Sequence, residues 1–143
     1  MAIKKNKELP MVLEKSIKDL LNHLLHHDVA LLDLNGSQIT VEATHGEDRL
    51  SLSTAVYQGD NYVPPSVRLC LTRSYPGPTS HIRTNLALNE ENFTISLHHV
   101  SALGSFTNQS LVRLLEEFSW IAEEWRQILD DNDRRDLVYV RVK

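Results

Sequence analysis

Cysteine occurs once in these 143 residues, at Cys70, so no internal disulfide framework is available and the composition fits a reducing compartment. Glycine is also scarce. The five glycines form neither G-x-G-x-x-G nor a P-loop pattern, which removes the glycine-built phosphate cradles. No apolar run approaches the length of a membrane span, and the opening MAIKKNKELP lacks the hydrophobic stretch of a secretory signal. The expectation is a cytoplasmic protein with no membrane insertion. Without a secretory route, the N-x-S/T triplets at Asn35, Asn92 and Asn108 read as composition and not as glycosylation sites. Positive charge is the minority sign, 15 Lys and Arg against 19 Asp and Glu, for a formal net charge of -4 with the signs interspersed. A nucleic-acid binder would carry a basic face, and none is visible. Lys4, Lys5 and Lys7 are a local exception, read with their neighbours as a flexible, solvated tail over residues 1–8.

What is present is a single core's worth of apolar residues, 41% of the chain, in patterns that spell two helices and a set of short strands. Pro10 to His27 reads as a helix, opened by a proline whose missing N–H would be unpaired in the first turn anyway, with Leu13, Ile17, Leu20 and Leu24 along its apolar face. Val29 to Leu34 is a nearly continuous apolar run, followed by the hairpin dipeptide Asn35-Gly36 and a return strand that alternates Ile39, Val41 and Ala43 with polar residues. Leu50, Leu52 and Val56 alternate with Ser51, Ser53 and Tyr57 in a third strand, completing an antiparallel meander. GDNYVPP over residues 59–65 reads as a loop. A fourth strand is expected on Val67, Leu69 and Leu71, a fifth on Ile82, Thr84, Leu86 and Leu88, and a sixth on Phe93, Ile95 and Leu97.

The longest signal lies between Ser110 and Asp131. Leu111, Leu115, Phe118, Ala122, Trp125 and Leu129 recur at helical spacing, Leu114, Ile121 and Ile128 widen the stripe, and Glu116, Glu117, Glu123, Glu124 and Gln127 gather opposite. Thr107 or Asn108 is the expected N-cap. After the acidic exit at Asp130, Asp131 and Asp133, residues 134–143 alternate in a way that can add a last strand, within the sheet or between molecules.

Candidate chemistry is thin. His23 and His27 stand four apart on a helix, a spacing that can hold zinc, but no glutamate of an HExxH motif and no third ligand accompany them, so a border position on an amphipathic helix is the better reading. His98 and His99 are adjacent in a strand and point to opposite faces. Gly104-Ser105 lacks the flanking pattern of a nucleophile elbow. Cys70 reads as a small buried side chain rather than a nucleophile. No catalytic residue, cofactor or metal is assigned, and a non-enzymatic protein is expected. Trp120 is the anomaly. It falls about 180° from Leu111 around the helix, among the glutamates. It is either a tryptophan lying on its neighbours' methylenes or an interface anchor, a role in which tryptophan is enriched. Trp120, with Leu114, Ile121 and Ile128 at the edge of the apolar arc, forms the expected partner-binding set.

The opening helix MVLEKSIKDLLNHLL, the strands in TNLALNEENFTISLHHV and the closing SLVRLLEEFSWIAEEWRQIL, in a small acidic chain, resemble the class I type III secretion chaperones in layout. The resemblance spans most of the chain. It implies a homodimer that binds an unfolded N-terminal segment of a secreted effector, which adds strands to sheet edges and sets apolar side chains into grooves beside the helices, keeping the cargo export-competent. It also implies a short dimer-forming helix between the third and fourth strands; GDNYVPP, read as a loop, departs from that layout. A rival reading of the same layout is a small-ligand carrier of helix-grip type, in which the last helix closes a sheet-lined cavity. The three Phe, two Trp and four Tyr are few for such a cavity. The fold expectation is one α+β domain over residues 1–143, an antiparallel sheet of about six strands packed on an N-terminal and a long C-terminal amphipathic helix.

Overall fold

The computed structural model describes residues 20, 24, 28–73 and 82–142, with side chains to residue 134. Within it, five strands form one antiparallel sheet in the order β1-β2-β3-β5-β4: β1 (Val29–Leu34), β2 (Ser37–Thr44), β3 (Arg49–Gln58), β4 (Asn85–Asn89) and β5 (Thr94–Ala102). Helix α1 (Pro65–Leu69) follows β3, and helix α2 (Asn108–Val142) closes the chain. Leu20 and Leu24 are helical and buried, as the opening helix requires; the remainder of that helix, and the tail at residues 1–8, lie outside the described residues.

The meander is built as its turn chemistry dictates. Asn35 (φ 50°) and Gly36 (φ 79°) both occupy left-handed backbone, the pairing that a two-residue hairpin needs to match the twist of its strands. Leu34 then opposes Ser37 and Leu32 opposes Ile39, which brings Leu32, Leu34, Ile39, Val41 and Ala43 onto one face. β3 continues that face with Leu50, Leu52 and Val56, and β5 with Ile95 and Leu97. A bulge lies at Val56, where the register steps from Ala55↔Ser96 to Tyr57↔Ile95. It brings Val56 and Tyr57 to the same covered face, which strict alternation assigns to opposite faces.

Helix α2 lies across this face. Thr107 is its N-cap: Thr107 Oγ1 accepts the Ser110 amide at 3.2 Å and Ser110 Oγ accepts the Thr107 amide at 2.8 Å, a reciprocal pair that satisfies two of the helix's orphan donors. Leu111, Leu115, Phe118, Ala122 and Leu129 are fully buried beneath it, and Trp125 nearly so. Two polar pins fix the helix to the β1–β2 hairpin. Asn35 Nδ2 donates to the buried Ser119 Oγ at 3.0 Å, and Arg126 donates to the buried Ser37 Oγ at 2.6 Å.

Two sequence expectations are corrected. Residues 67–72, expected as a fourth strand, are helical: α1 gives way to a 3-10 turn over Cys70–Thr72. Pro65 sits at the first helical position after an extended Pro64, so the proline pair starts a helix here as well as ending a loop. The apolar residues of this stretch fit both periods. Val67 and Cys70, three apart, are fully buried while Leu69 is 58% exposed, which is helical spacing. Ser66 Oγ then ties α1 to α2 through the Asn132 carbonyl at 2.8 Å. A short helix does therefore stand between the third and fourth strands, beginning at Pro65, the last residue of GDNYVPP. The second correction concerns residues 134–142, which continue α2 and add no strand. Neither Gly nor Pro interrupts the sequence between Asp130 and Val142, and Asp130–Arg134 is an i,i+4 ion pair that supports the extension.

Candidate partner-binding surfaces

Of the four residues expected to meet a partner, the structure exposes one. Leu114 (5% exposed) and Ile121 (2%) belong to the protein's own core, and Ile128 packs against that core half-buried. Trp120 is 59% exposed. It stands on the outer face of α2, one residue before Ile121, because a 100° step carries the chain from the solvent side to the packed side. Glu116, Glu123 and Glu124 lie four before, three after and four after it, the spacings that place side chains beside one another on a helix. Among the described residues none of these three enters an ion pair.

A second exposed apolar set lies on the sheet. β1 and β4 are its edges. Helix α2 covers one face, and on the other face Leu31 of β1 is 63% exposed and Val100 of β5 is 57% exposed. Val29, 48% exposed, is on the same row as Val100, because Val29 opposes Glu42, Glu42 opposes Ser51 and Ser51 opposes Val100. Sequence reasoning did not single these residues out. The available sign was the unbroken apolar run of β1, which lacks the polar alternation of a strand with one wet face.

The titratable groups that could suggest catalysis have structural work. His45 Nε2 donates to the Leu24 carbonyl at 2.6 Å, satisfying an acceptor of the opening helix. His99 is buried, with Nδ1 donating to the Arg83 carbonyl and Nε2 bonded to Ser101 Oγ, both at 2.7 Å. His98 faces the other way, half-buried. His23, His26, His27 and His81 lie outside the described residues. The Cys70 thiol is buried, which raises its pKa and keeps it protonated, and Sγ leans on the Ser66 carbonyl at 3.5 Å. Among the described residues, no group of three or more His, Cys, Asp or Glu is placed to hold a metal. A cleft of about 360 Å³ opens beside the bulge, lined by Tyr57, Gln58, Arg126, Asp130 and Asp133 among others. Burial, and next the charge of Asp133, push the Tyr57 hydroxyl up to about 12. Between α2 and the sheet the space is filled by Phe118, Leu115, Ile39, Leu52 and Leu97, all fully buried.

No protein-family model and no curated protein matches the chain. Solved structures do. A chain of the HopA1-SchA chaperone-effector complex aligns with a TM-score of 0.57 at 15% identity, over 83% of this chain and 97% of its own length. The ExsC-ExsE complex matches with a TM-score of 0.57 at 17% identity, over 71% of this chain and 75% of the other. The ExoU-SpcU complex from the type III secretion system of Pseudomonas aeruginosa gives 0.51 at 17% identity, over 74% and 83%. The protein shares its fold with a chain of each of these complexes, in the layout of helices and strands that the resemblance to class I type III secretion chaperones implied.

Proposed function

We propose that the protein is a non-enzymatic chaperone that holds the N-terminal segment of a secreted effector in an export-competent state, as a homodimer in the cytoplasm. The observation that carries this reading is the fold likeness to a chain of a chaperone-effector complex over 97% of that chain's length. The exposed surface is consistent with it. An extended segment can add to the sheet at its edge strand β1 by main-chain hydrogen bonds, while Leu31 and Val100 offer exposed apolar footing on the face opposite α2. Partner contact through Trp120 belongs to the same proposal. In this reading Leu114 and Ile121 act indirectly, by holding α2 in place, since both are buried.

The helix-grip carrier reading loses ground to the packed core, because a ligand cavity would have to occupy the space that Phe118 and Leu52 fill. The test is an affinity pull-down with the tagged full chain from the source cell's lysate, read by mass spectrometry with peptide mapping of bound proteins. Recovery of one or two larger proteins, protected from proteolysis through their N-terminal regions, is the expected result. A monodisperse protein that returns alone would overturn the proposal.

A further inference from the structure

The outer face of α2 combines two features that are each ordinary and together are selective. Trp120 exposes more than half of its surface on a helix whose other face is fully committed to the core. Three carboxylates, Glu116, Glu123 and Glu124, surround it at i−4, i+3 and i+4, and no cation of the described residues pairs with them. An indole in water with unneutralised carboxylates beside it attracts one kind of side chain above others. A guanidinium stacks on the ring face through its planar, weakly hydrated surface and meets carboxylates in the ring plane with its N–H groups. A second copy of this face would oppose carboxylate to carboxylate, which disfavours self-pairing through it. A purely apolar partner would desolvate the three carboxylates without return.

We infer that this face is a docking site for an arginine-bearing segment of a partner protein, with Trp120 as the stacking platform and Glu116, Glu123 and Glu124 as the anionic frame. The inference rests on the protein-binding reading above and names the chemistry of the segment that it engages. Arg113, seven residues before Trp120 on the same helix face, marks the limit of the frame, because it places a cation at the N-terminal side. The docked arginine therefore sits beside Glu123 and Glu124.

The test uses the full chain and a blocked hexa-arginine peptide as probe, with binding followed by calorimetry and tryptophan fluorescence. The peptide is expected to bind the wild-type protein with an affinity that falls as salt rises. Trp120→Ala is expected to weaken it about tenfold at unchanged circular dichroism and melting temperature. The pair Glu123→Gln and Glu124→Gln is expected to weaken it and flatten the salt dependence with Trp120 still present. A blocked hexa-lysine peptide is expected to bind more weakly than hexa-arginine, since ammonium does not stack. Equal hexa-arginine affinity in Trp120→Ala would overturn the inference, and so would equal binding of a hexa-glutamate peptide. The pull-down separates this failure from failure of the chaperone reading. If the wild type recovers a partner and Trp120→Ala recovers it equally, this site is wrong and the chaperone reading stands. If the wild type recovers none while the peptide still binds through Trp120, the reverse holds.

Discussion

Two tryptophans five residues apart on one helix have opposite surroundings. Trp125 is 2% exposed against the sheet, and Trp120 is 59% exposed on the far side. The same propensity and the same helix serve both, so residue type does not decide what either ring does; azimuth does. The inner face of α2 packs chiefly on apolar neighbours and is where folding free energy is gained, whereas the outer face has water and carboxylates for neighbours and can be read by another molecule without cost to the fold. Substitutions at five positions test that contrast.

The largest effect is expected from Ile121→Glu, adjacent to Trp120 and yet on the inner face. It places an unpaired carboxylate at a site 2% exposed, and loss of the folded state is expected in far-ultraviolet circular dichroism. A folded, cooperative Ile121→Glu protein would erase the distinction between the faces. Trp125→Ala should cost about 3–5 kcal/mol in urea unfolding, the range for emptying a buried aromatic site. Thr107→Ala tests whether the helix start belongs to the committed side. Loss of the cap to Ser110 should cost about 1 kcal/mol, and Thr107→Ser should restore most of it.

The far end of the inner face has a pH signature. Tyr57, beside Asp133, has its pKa raised from 10.0 to about 12. The folded state therefore keeps the phenol proton where the unfolded chain releases it. The stability this confers is complete below pH 10 and is lost as pH rises toward about 12. Tyr57→Phe should flatten that alkaline slope in a urea-titration series, and an unchanged slope would remove Tyr57 from the account. The smallest effect belongs to Trp120→Ala, expected within about 0.5 kcal/mol of wild type. A loss as large as that of Trp125→Ala would assign Trp120 to folding and withdraw it from recognition.

The rest of the sheet shows how far local pattern reaches. Asn35-Gly36 announces its hairpin because the left-handed backbone that the turn needs is accessible to those two residues at little cost. The stretch from Val67 to Thr72 is ambiguous for the opposite reason. Its apolar residues satisfy period two through Val67, Leu69 and Leu71, and helical spacing through Val67 and Cys70. Docking against α2 through Ser66 and Asn132 favours the helix. The bulge at Val56 is likewise silent in the sequence, since it arises from how β3 meets β5.

The long amphipathic helix, the meander, the solvent position of Trp120 and the helix-and-strand layout shared with chains of those complexes were all legible in the order of the residues. Each follows from periodicity or turn chemistry that neighbours in the chain impose on one another. Only the tertiary structure decided that Leu114 and Ile121 are core and not contact residues, that residues 65–72 are helical and that Leu31 and Val100 remain uncovered. Those outcomes depend on which faces of distant segments meet, because burial is a property of the packed pair and an apolar residue carries no mark of which partner, if any, will cover it.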